Sequence, residues 1–413
     1  MLNFNNQPDL ILLNWFQHGK DISTSMKCKT YDLEAYYKKL IPILFFLLFG
    51  YIDFVVCYSL GYEEIYIYHS RGVAISLWVL FGVTELCIFV YWISIIIIGP
   101  GRAPRIEPFD LFGTSEKSST TGGVPDFFFC DKEGFPFWCT ECQSLKAPRT
   151  THLRDMKYCV LRFDHYCVWV GTVIGRNNYR PFLKFVLYVD CLFLMALIFL
   201  ARYTRLNYDR GTKDINHNYI VLYIVSFFGL LFVMILTVSN VRYVMHNFTT
   251  IDDLNVIQKR RYSRWKRRKD RPRCFDRSPR KESGLRYINM QYKDTRAVVE
   301  YSIHDLPFSF GFRKNFINIW LYGSRRKDQH TGGPDYSFTE LFLSCILAVI
   351  PFCDLIIFLK DRFVKTKKET GQGNSSPDQL YHMNCEYISD AFLESARRKI
   401  DENKYTIPKY FGP

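Results

Sequence analysis

The first 38 residues lack an apolar stretch followed by a small-residue cleavage site. They are polar and mixed in charge, so no cleavable targeting peptide is expected and the first apolar run counts as a span. No internal repeat of about 20 to 50 residues is present, which excludes solenoids and propellers. The 13 cysteines form no disulfide framework, because they fall in apolar runs and in loops assigned below to a reducing compartment; Cys57, Cys87 and Cys191 read as small apolar packing residues. Core-like periodicity is also missing from a chain that is 48% hydrophobic and 17% aromatic. Its apolar residues are clumped instead, which is a membrane signature.

Four runs have the roughly 20 residues needed to cross a hydrocarbon layer: 40–60, 73–98, 182–201 and 219–241. Flanking charge sets their orientation. The segment 61–72 holds only Arg71, and 203–218 holds Arg205, Arg210 and Lys213, whereas 99–180 holds eleven Lys/Arg and 259–273 holds ten. The two basic segments are therefore expected in the cytosol, with both termini. The expected fold is an α-helical polytopic membrane protein with four transmembrane helices and a zinc-braced cytosolic cysteine-rich loop. Its divisions are a cytosolic N-terminal segment 1–39, spans 40–98, the cysteine-rich domain 99–181, spans 182–245 and a cytosolic C-terminal region 246–413.

A fifth apolar run, 341–359, contains Pro351 and Asp354; crossing would carry Lys360 and Lys365–Lys368 outside against the charge rule, so it reads as a helix docked on or dipping into the cytosolic face. Most of the net charge of +14 sits in Lys259–Arg273, beside the fourth span. That position favours anionic lipid as the partner, and no nucleic acid is expected. Asp53, Glu85 and Asp190 lie inside spans and read as interhelical hydrogen-bonding groups, the alternative being a transporter that uses them. Asn247-Phe-Thr fits a glycosylation sequon but should face the cytosol unmodified.

The chemistry is concentrated in the loop before the third span. Cys139 and Cys142 form a C-x2-C knuckle, followed by His152 and Cys159. Three thiolates and an imidazole make a closed tetrahedral set, a structural zinc site rather than a catalytic one. A C2H2 finger is excluded, since its second pair would be two histidines. With few aliphatic core positions, the loop would draw on the order of 10 kcal/mol of its folding free energy from the metal. Downstream, Asp164, His165 and Cys167 supply an orienting carboxylate, a base and a nucleophile, the parts of an activated thiol, about fifteen residues before a span. Adjacency in sequence does not establish contact among them.

Residues 139–182 resemble the cysteine-rich domain of the DHHC family of protein S-acyltransferases (palmitoyltransferases), including Lys146, Pro148, Arg149, Trp169, Gly175, Asn178 and Phe182. Gly99-Pro100-Gly101, Thr249-Thr250-Ile251-Asp252 and Pro307–Gly311 followed by Asn315 are similar to three further motifs of that family, the first without its Asp and the second with Asp for Glu. The resemblance implies protein S-palmitoylation in two covalent steps. Cys167 takes a long-chain acyl group from palmitoyl-CoA, with His165 as base and Asp164 orienting it, and a membrane-proximal cysteine of a cytosol-facing substrate protein then receives it. Thr250 is expected to contact Asp164, Asn315 to pin the C-terminal segment, Trp169 to meet the acyl carbonyl end and Arg162 the CoA phosphates. Burying the acyl chain, at about 0.8 kcal/mol per methylene, is the physical need for a membrane enzyme.

Where the family carries a second zinc site, the aligned positions are Leu153, Met156, Tyr166 and Val173, all lost together, so one structural Zn2+ is expected with an apolar and aromatic plug in place of the second. Tyr166 in place of histidine is similar to a short fungal subgroup. The competing reading is a non-catalytic membrane scaffold, against which the intact Asp164, His165 and Cys167 weigh.

Overall fold

The computed structural model describes residues 27–108, 111, 124–211, 216–257, 285–293, 295–302, 305–322, 337–350, 353, 354, 356, 359 and 388–411. The basic run Lys259–Arg273, on which the lipid reading rests, lies outside the described residues. Helices long and apolar enough to cross a membrane cover Tyr36–Tyr66, Arg71–Ile98, Tyr179–Asp209 and His217–His246. They belong to α1 (Lys27–Phe54, continued by a π-helix Val55–Tyr66), α2 (Arg71–Ile98), α3 (Tyr179–Asp209) and α4 (His217–His246). Leu47, Ile75, Val83, Ile198, Phe228 and Val238 remain exposed on their outer faces, a pattern suited to lipid rather than water.

The first span runs further than its hydropathy indicates, and its last three turns are wound as a π-helix. Within it, the Trp78 indole of α2 donates to the Cys57 carbonyl at 3.0 Å. Gly61 allows the approach, since a Cβ there would lie 2.5 Å from Trp78 Nε1. The intramembrane carboxylates divide. Asp190 on α3 accepts from the Thr237 hydroxyl on α4, as expected of an interhelical bond. Asp53 instead accepts from Cys57 Sγ, four residues along its own helix, at 3.2 Å.

Between α2 and α3 the loop is built from short hairpins. β1 (Phe127–Cys130) joins the later strands β8 (Leu285–Tyr292) and β9 (Thr295–Ser302) in a sheet of order β1-β8-β9. β2 (Trp138–Cys139) pairs with β3 (Ser144–Leu145), β4 (Thr151–Leu153) with β5 (Tyr158–Val160), and β6 (His165–Cys167) with β7 (Thr172–Ile174), all antiparallel. Gly99 and Gly101, at φ 66° and 95°, turn the chain out of α2 so that Leu161 N–H reaches the Gly101 carbonyl at 3.2 Å and Ala103 N–H the Cys159 carbonyl at 2.8 Å. The Gly-Pro-Gly motif thereby fastens the hairpins to the end of the second span.

After α4, residues 250–257 form α5, followed by α6 (Phe312–Ile317), α7 (Phe338–Val349) and α8 (Asp390–Asp401). Phe392, Leu393, Ala396 and Ile400 of α8 pack with Ile288, Met290, Ala297 and Val299 of the sheet, a core separate from that of the spans. The fifth apolar run forms α7, which ends at Val349; beyond it, Asp354 pairs with Arg180 and with Lys184 (2.9 Å) in the first two turns of α3. This holds the run against the loop-bearing end of the bundle.

Candidate active site

Strand geometry decides what the Asp-His-Tyr-Cys run presents. Alternation along β6 puts His165 and Cys167 on one face and Tyr166 on the other. On the first face, the Cys167 sulfur lies near enough to the His165 ring to favour its protonated form. His165 Nδ1 meets Asp164 Oδ2 at 2.7 Å, and Thr250 closes the arrangement, its N–H donating to Asp164 Oδ1 and its Oγ1 to Oδ2, both at 2.8 Å. Burial acts to lower the His165 pKa, but the Asp164 carboxylate and the Cys167 sulfur outweigh it and push it up to about 10. Burial likewise acts to raise Asp164, and the hydrogen bond and charge of His165 with the two bonds from Thr250 hold it below the usual carboxylate range. The site thus favours an imidazolium between a carboxylate and a sulfur.

The hairpin tip carries this group into the helix bundle. Cys167, 7% exposed, shares the core of the spans with Phe49, Phe182 and Phe185. Trp92 of α2 donates to the Val170 carbonyl at 3.3 Å, and Gly171, at φ 76°, passes so close to α1 that a Cβ would lie 3.1 Å from Pro42 Cγ. Trp169 is wedged between α1 and α4, its ring 6.1 Å from Phe45 and 5.8 Å from Phe232, while 40% of it stays exposed. Asn178 ties the base of the hairpin to α2, donating to the Val173 and Ile95 carbonyls and accepting from Gly175 N–H. At Gly175 a Cβ would meet the Pro100 carbonyl at 2.7 Å and Val160 Cγ1 at 2.9 Å. Gly175→Ala is therefore expected to destabilise the protein by about 1–3 kcal/mol, read as a lower melting temperature of the detergent-solubilised protein.

The other predicted ligands also converge. In β4–β5, His152 and Cys159 are directly opposed, and β2–β3 with its turn brings Cys139 and Cys142 to them. His152 Nδ1 lies 3.5, 3.2 and 3.9 Å from the sulfurs of Cys139, Cys142 and Cys159, and all four donor atoms fall within 4.8 Å of one another. A tetrahedral zinc with bonds of about 2.0–2.3 Å separates its ligands by about 3.3–3.8 Å, so this group fits a metal ion. Burial raises the Cys139 thiol, yet the Cys142 N–H, the neighbouring thiols and Lys146 bring it below its ordinary value, as a thiolate ligand needs. Cys130 stands apart, buried in β1. On the far face of β6, Tyr166 pairs across the hairpin with Val173 and receives Lys38 of α1 over its ring at 5.1 Å; Lys38 also pairs with Asp155 at 2.8 Å.

Asn315 is fully buried, accepting from Phe310 N–H and donating to Ser309 Oγ and to the Met245 carbonyl at the end of α4. Arg162, expected to meet CoA phosphates, donates from its guanidinium to Asn247 Oδ1 at 2.8 Å and lies over the Tyr179 ring. Asn247, considered from sequence only as a sequon, is a hub: left-handed at φ 51°, it ends α4, takes Arg149 on its carbonyl at 2.5 Å and donates to the Phe308 carbonyl at 2.7 Å. An asparagine closing a long helix was its available signal. The Thr-Thr-x-Asp motif has an equally local basis. Thr249 N–H and Oγ1 donate to Asp252 Oδ2, and Asp252 N–H donates back to Thr249 Oγ1, a capping box that starts α5 and aims Thr250 at Asp164.

A four-helix apolar bundle with a cysteine-rich loop of hairpins entering one end defines a multi-pass membrane protein whose distinctive groups lie where that loop meets the helices. The DHHC palmitoyltransferase family model matches residues 132–257. Palmitoyltransferase PFA5 of Candida albicans is 36% identical over 392 residues, 92% of this chain and 95% of that protein. PFA5 of Kluyveromyces lactis is 34% identical over 241 residues (56% of this chain, 68% of that protein), and PFA5 of Candida glabrata 36% over 223 residues (54% and 63%). The chain belongs to the DHHC palmitoyltransferase family and is a protein S-palmitoyltransferase.

Proposed function

We propose that the chain transfers a long-chain acyl group from palmitoyl-CoA to Cys167 and from there to a cysteine of a substrate protein. The observation that carries this reading is that His165, held by Asp164, shares one face of β6 with Cys167, whose side chain lies in the apolar core at the end of the spans. The Cys167 sulfur, its proton held on His165, attacks the thioester carbonyl. CoA leaves as thiolate and takes that proton. In the second step the substrate thiol gives its proton to His165 and attacks the acyl-Cys167 carbonyl, and the departing Cys167 sulfur regains the starting state. Asp164 keeps the ring in one tautomer, and Thr250 keeps Asp164 in place. Trp169, wedged between α1 and α4 beside the nucleophile, is the contact for the acyl end.

Cys139, Cys142, His152 and Cys159 hold one structural zinc ion, which supplies no reacting atom and braces the hairpins. The basic loop 99–181, the segments 1–39 and 246–413 and the active site face the cytosol, with 40–98 and 182–245 in the bilayer; the charge bias between loops supports this orientation. Substrates are cytosol-facing proteins with cysteines near the membrane, since Cys167 cannot leave the bundle end. The test incubates purified protein with labelled palmitoyl-CoA and maps the hydroxylamine-sensitive label by peptide mass spectrometry. Label on the peptide bearing Cys167, released by an acceptor peptide thiol, is expected; no thioester adduct, or one confined to other cysteines, overturns the reading.

A further inference from the structure

Beyond the 132–257 stretch matched by the family model, the chain carries hairpin β8–β9, and helix α8 packs across it. Arg286, on β8, leaves this module toward the site. Its Nη2 lies 3.4 Å from Asp252 Oδ1, and Tyr301 is its cross-strand partner in β9. The other oxygen of Asp252 holds Arg149 Nε at 3.1 Å and the N–H and Oγ1 of Thr249 at 3.2 and 3.1 Å. Thr249 caps the helix whose first residue, Thr250, grips both oxygens of Asp164. A continuous polar path therefore runs from the hairpin to the carboxylate beside His165.

We infer that Arg286 is a positioning residue for acylation, through which the β8–β9 module fixes the first turn of α5 and thereby Asp164. The inference rests on the acyl-Cys167 reading above. Asp252 is 4% exposed, so its charge needs partners. Burial raises its carboxyl, and Arg149 and Arg286 together bring it below the usual range. The two guanidiniums are not equivalent. Arg149 is anchored on the Asn247 carbonyl and over the Phe308 ring at 3.9 Å, so it ties Asp252 to the end of α4, whereas Arg286 ties it to the sheet. Asp252, Arg149, Arg286, Tyr301 and His246 line a cavity of about 10 Å³, the space of about one water. Truncating Arg286 enlarges it, lets solvent reach Asp252 and leaves the capping box held from one side only.

The test compares full-length wild type with Arg286→Ala, Arg286→Lys, Asp252→Asn and the Arg286→Ala/Asp252→Asn double variant. The readouts are single-turnover acylation by palmitoyl-CoA, zinc per chain and the rate of Cys167 alkylation by iodoacetamide. Arg286→Ala is expected to slow acylation about tenfold, the scale of one charge-assisted hydrogen bond, with unchanged KM for palmitoyl-CoA, unchanged zinc and slower Cys167 alkylation. Arg286→Lys should recover most of the rate, and the double variant should be no slower than Asp252→Asn alone, because both act on one path. A rate for Arg286→Ala equal to wild type, a loss matched by lost zinc and not restored by lysine, or additive effects in the double variant would overturn the inference. If wild type itself takes no label, the acyl-enzyme reading falls, and the alkylation rates still decide whether Arg286 positions the site.

Discussion

Asp164→Asn is expected to slow acylation of Cys167 by about 10³–10⁴-fold, the loss produced when the orienting carboxylate of a nucleophile–histidine pair is made neutral. Asp164 has no slack. It is 3% exposed, and each of its oxygens is bonded by Thr250 while one also meets His165 Nδ1 at 2.7 Å. An amide there offers an N–H where the ring already donates one, so the imidazole either turns or changes tautomer, and the Cys167 proton loses its acceptor. Single-turnover labelling with palmitoyl-CoA measures the rate, and Cys167→Ala, which should carry no hydroxylamine-labile label, sets its floor. An Asp164→Asn rate within about threefold of wild type, against the loss expected for such a residue, would mean that His165 is oriented by something else. The pH dependence has a definite sign. His165 is raised to about 10, so the stability that its ion pair adds is complete below its unfolded value of about 6.5 and is lost as pH rises through about 10. Asp164 is lowered, so its contribution is present above its unfolded value of about 3.9 and is lost as pH falls through its lower folded value. The melting temperature of the wild type should therefore fall toward both extremes, and that of Asp164→Asn should be flatter.

The spans were legible because hydropathy needs no partner to be read: the windows 73–98 and Arg71–Ile98 nearly coincide. The first span shows the limit, since its continuation to Tyr66 is a π-helix packed against an indole from another helix at Gly61, a contact between helices that hydropathy does not register. The convergence of Cys139, Cys142, His152 and Cys159 was legible for a related reason, as two short hairpins bring residues close in sequence to one point. Contact among Asp164, His165 and Cys167 was not, because a run of adjacent residues has no geometry until the chain is known to be extended. Once β6 is a strand, period two puts His165 and Cys167 on one face and turns Tyr166 to the other, so the aromatic replacement sits away from both. Least legible were Arg149, Arg162 and Arg286. A guanidinium in a loop reads as a phosphate or lipid contact, and only tertiary structure shows these three turned onto Asn247 and Asp252.

Removing the metal is the second large perturbation, and its consequence follows from what else holds the loop. The hairpins β2–β3, β4–β5 and β6–β7 contribute two or three residues per strand, too little to be stable alone. On the face where Tyr166 replaces a histidine, one link to α1 among the described residues is Lys38, 30% exposed, paired with Asp155, 71% exposed, and lying over the Tyr166 ring. Such exposed contacts contribute about 1 kcal/mol or less each, against on the order of 10 kcal/mol for a structural zinc. Chelation, or Cys159→Ser, should therefore unfold the loop as a unit and abolish acylation, while far-UV circular dichroism retains the signal of the spans. Cys167 should become freely alkylated as its hairpin leaves the bundle. Metal analysis should give one zinc per chain, and Tyr166→His should leave that number unchanged, because Leu153, Met156 and Val173 supply no further ligands. Two zinc ions in wild type, or acylation that survives complete chelation, would mean that the loop is braced by something other than Cys139, Cys142, His152 and Cys159.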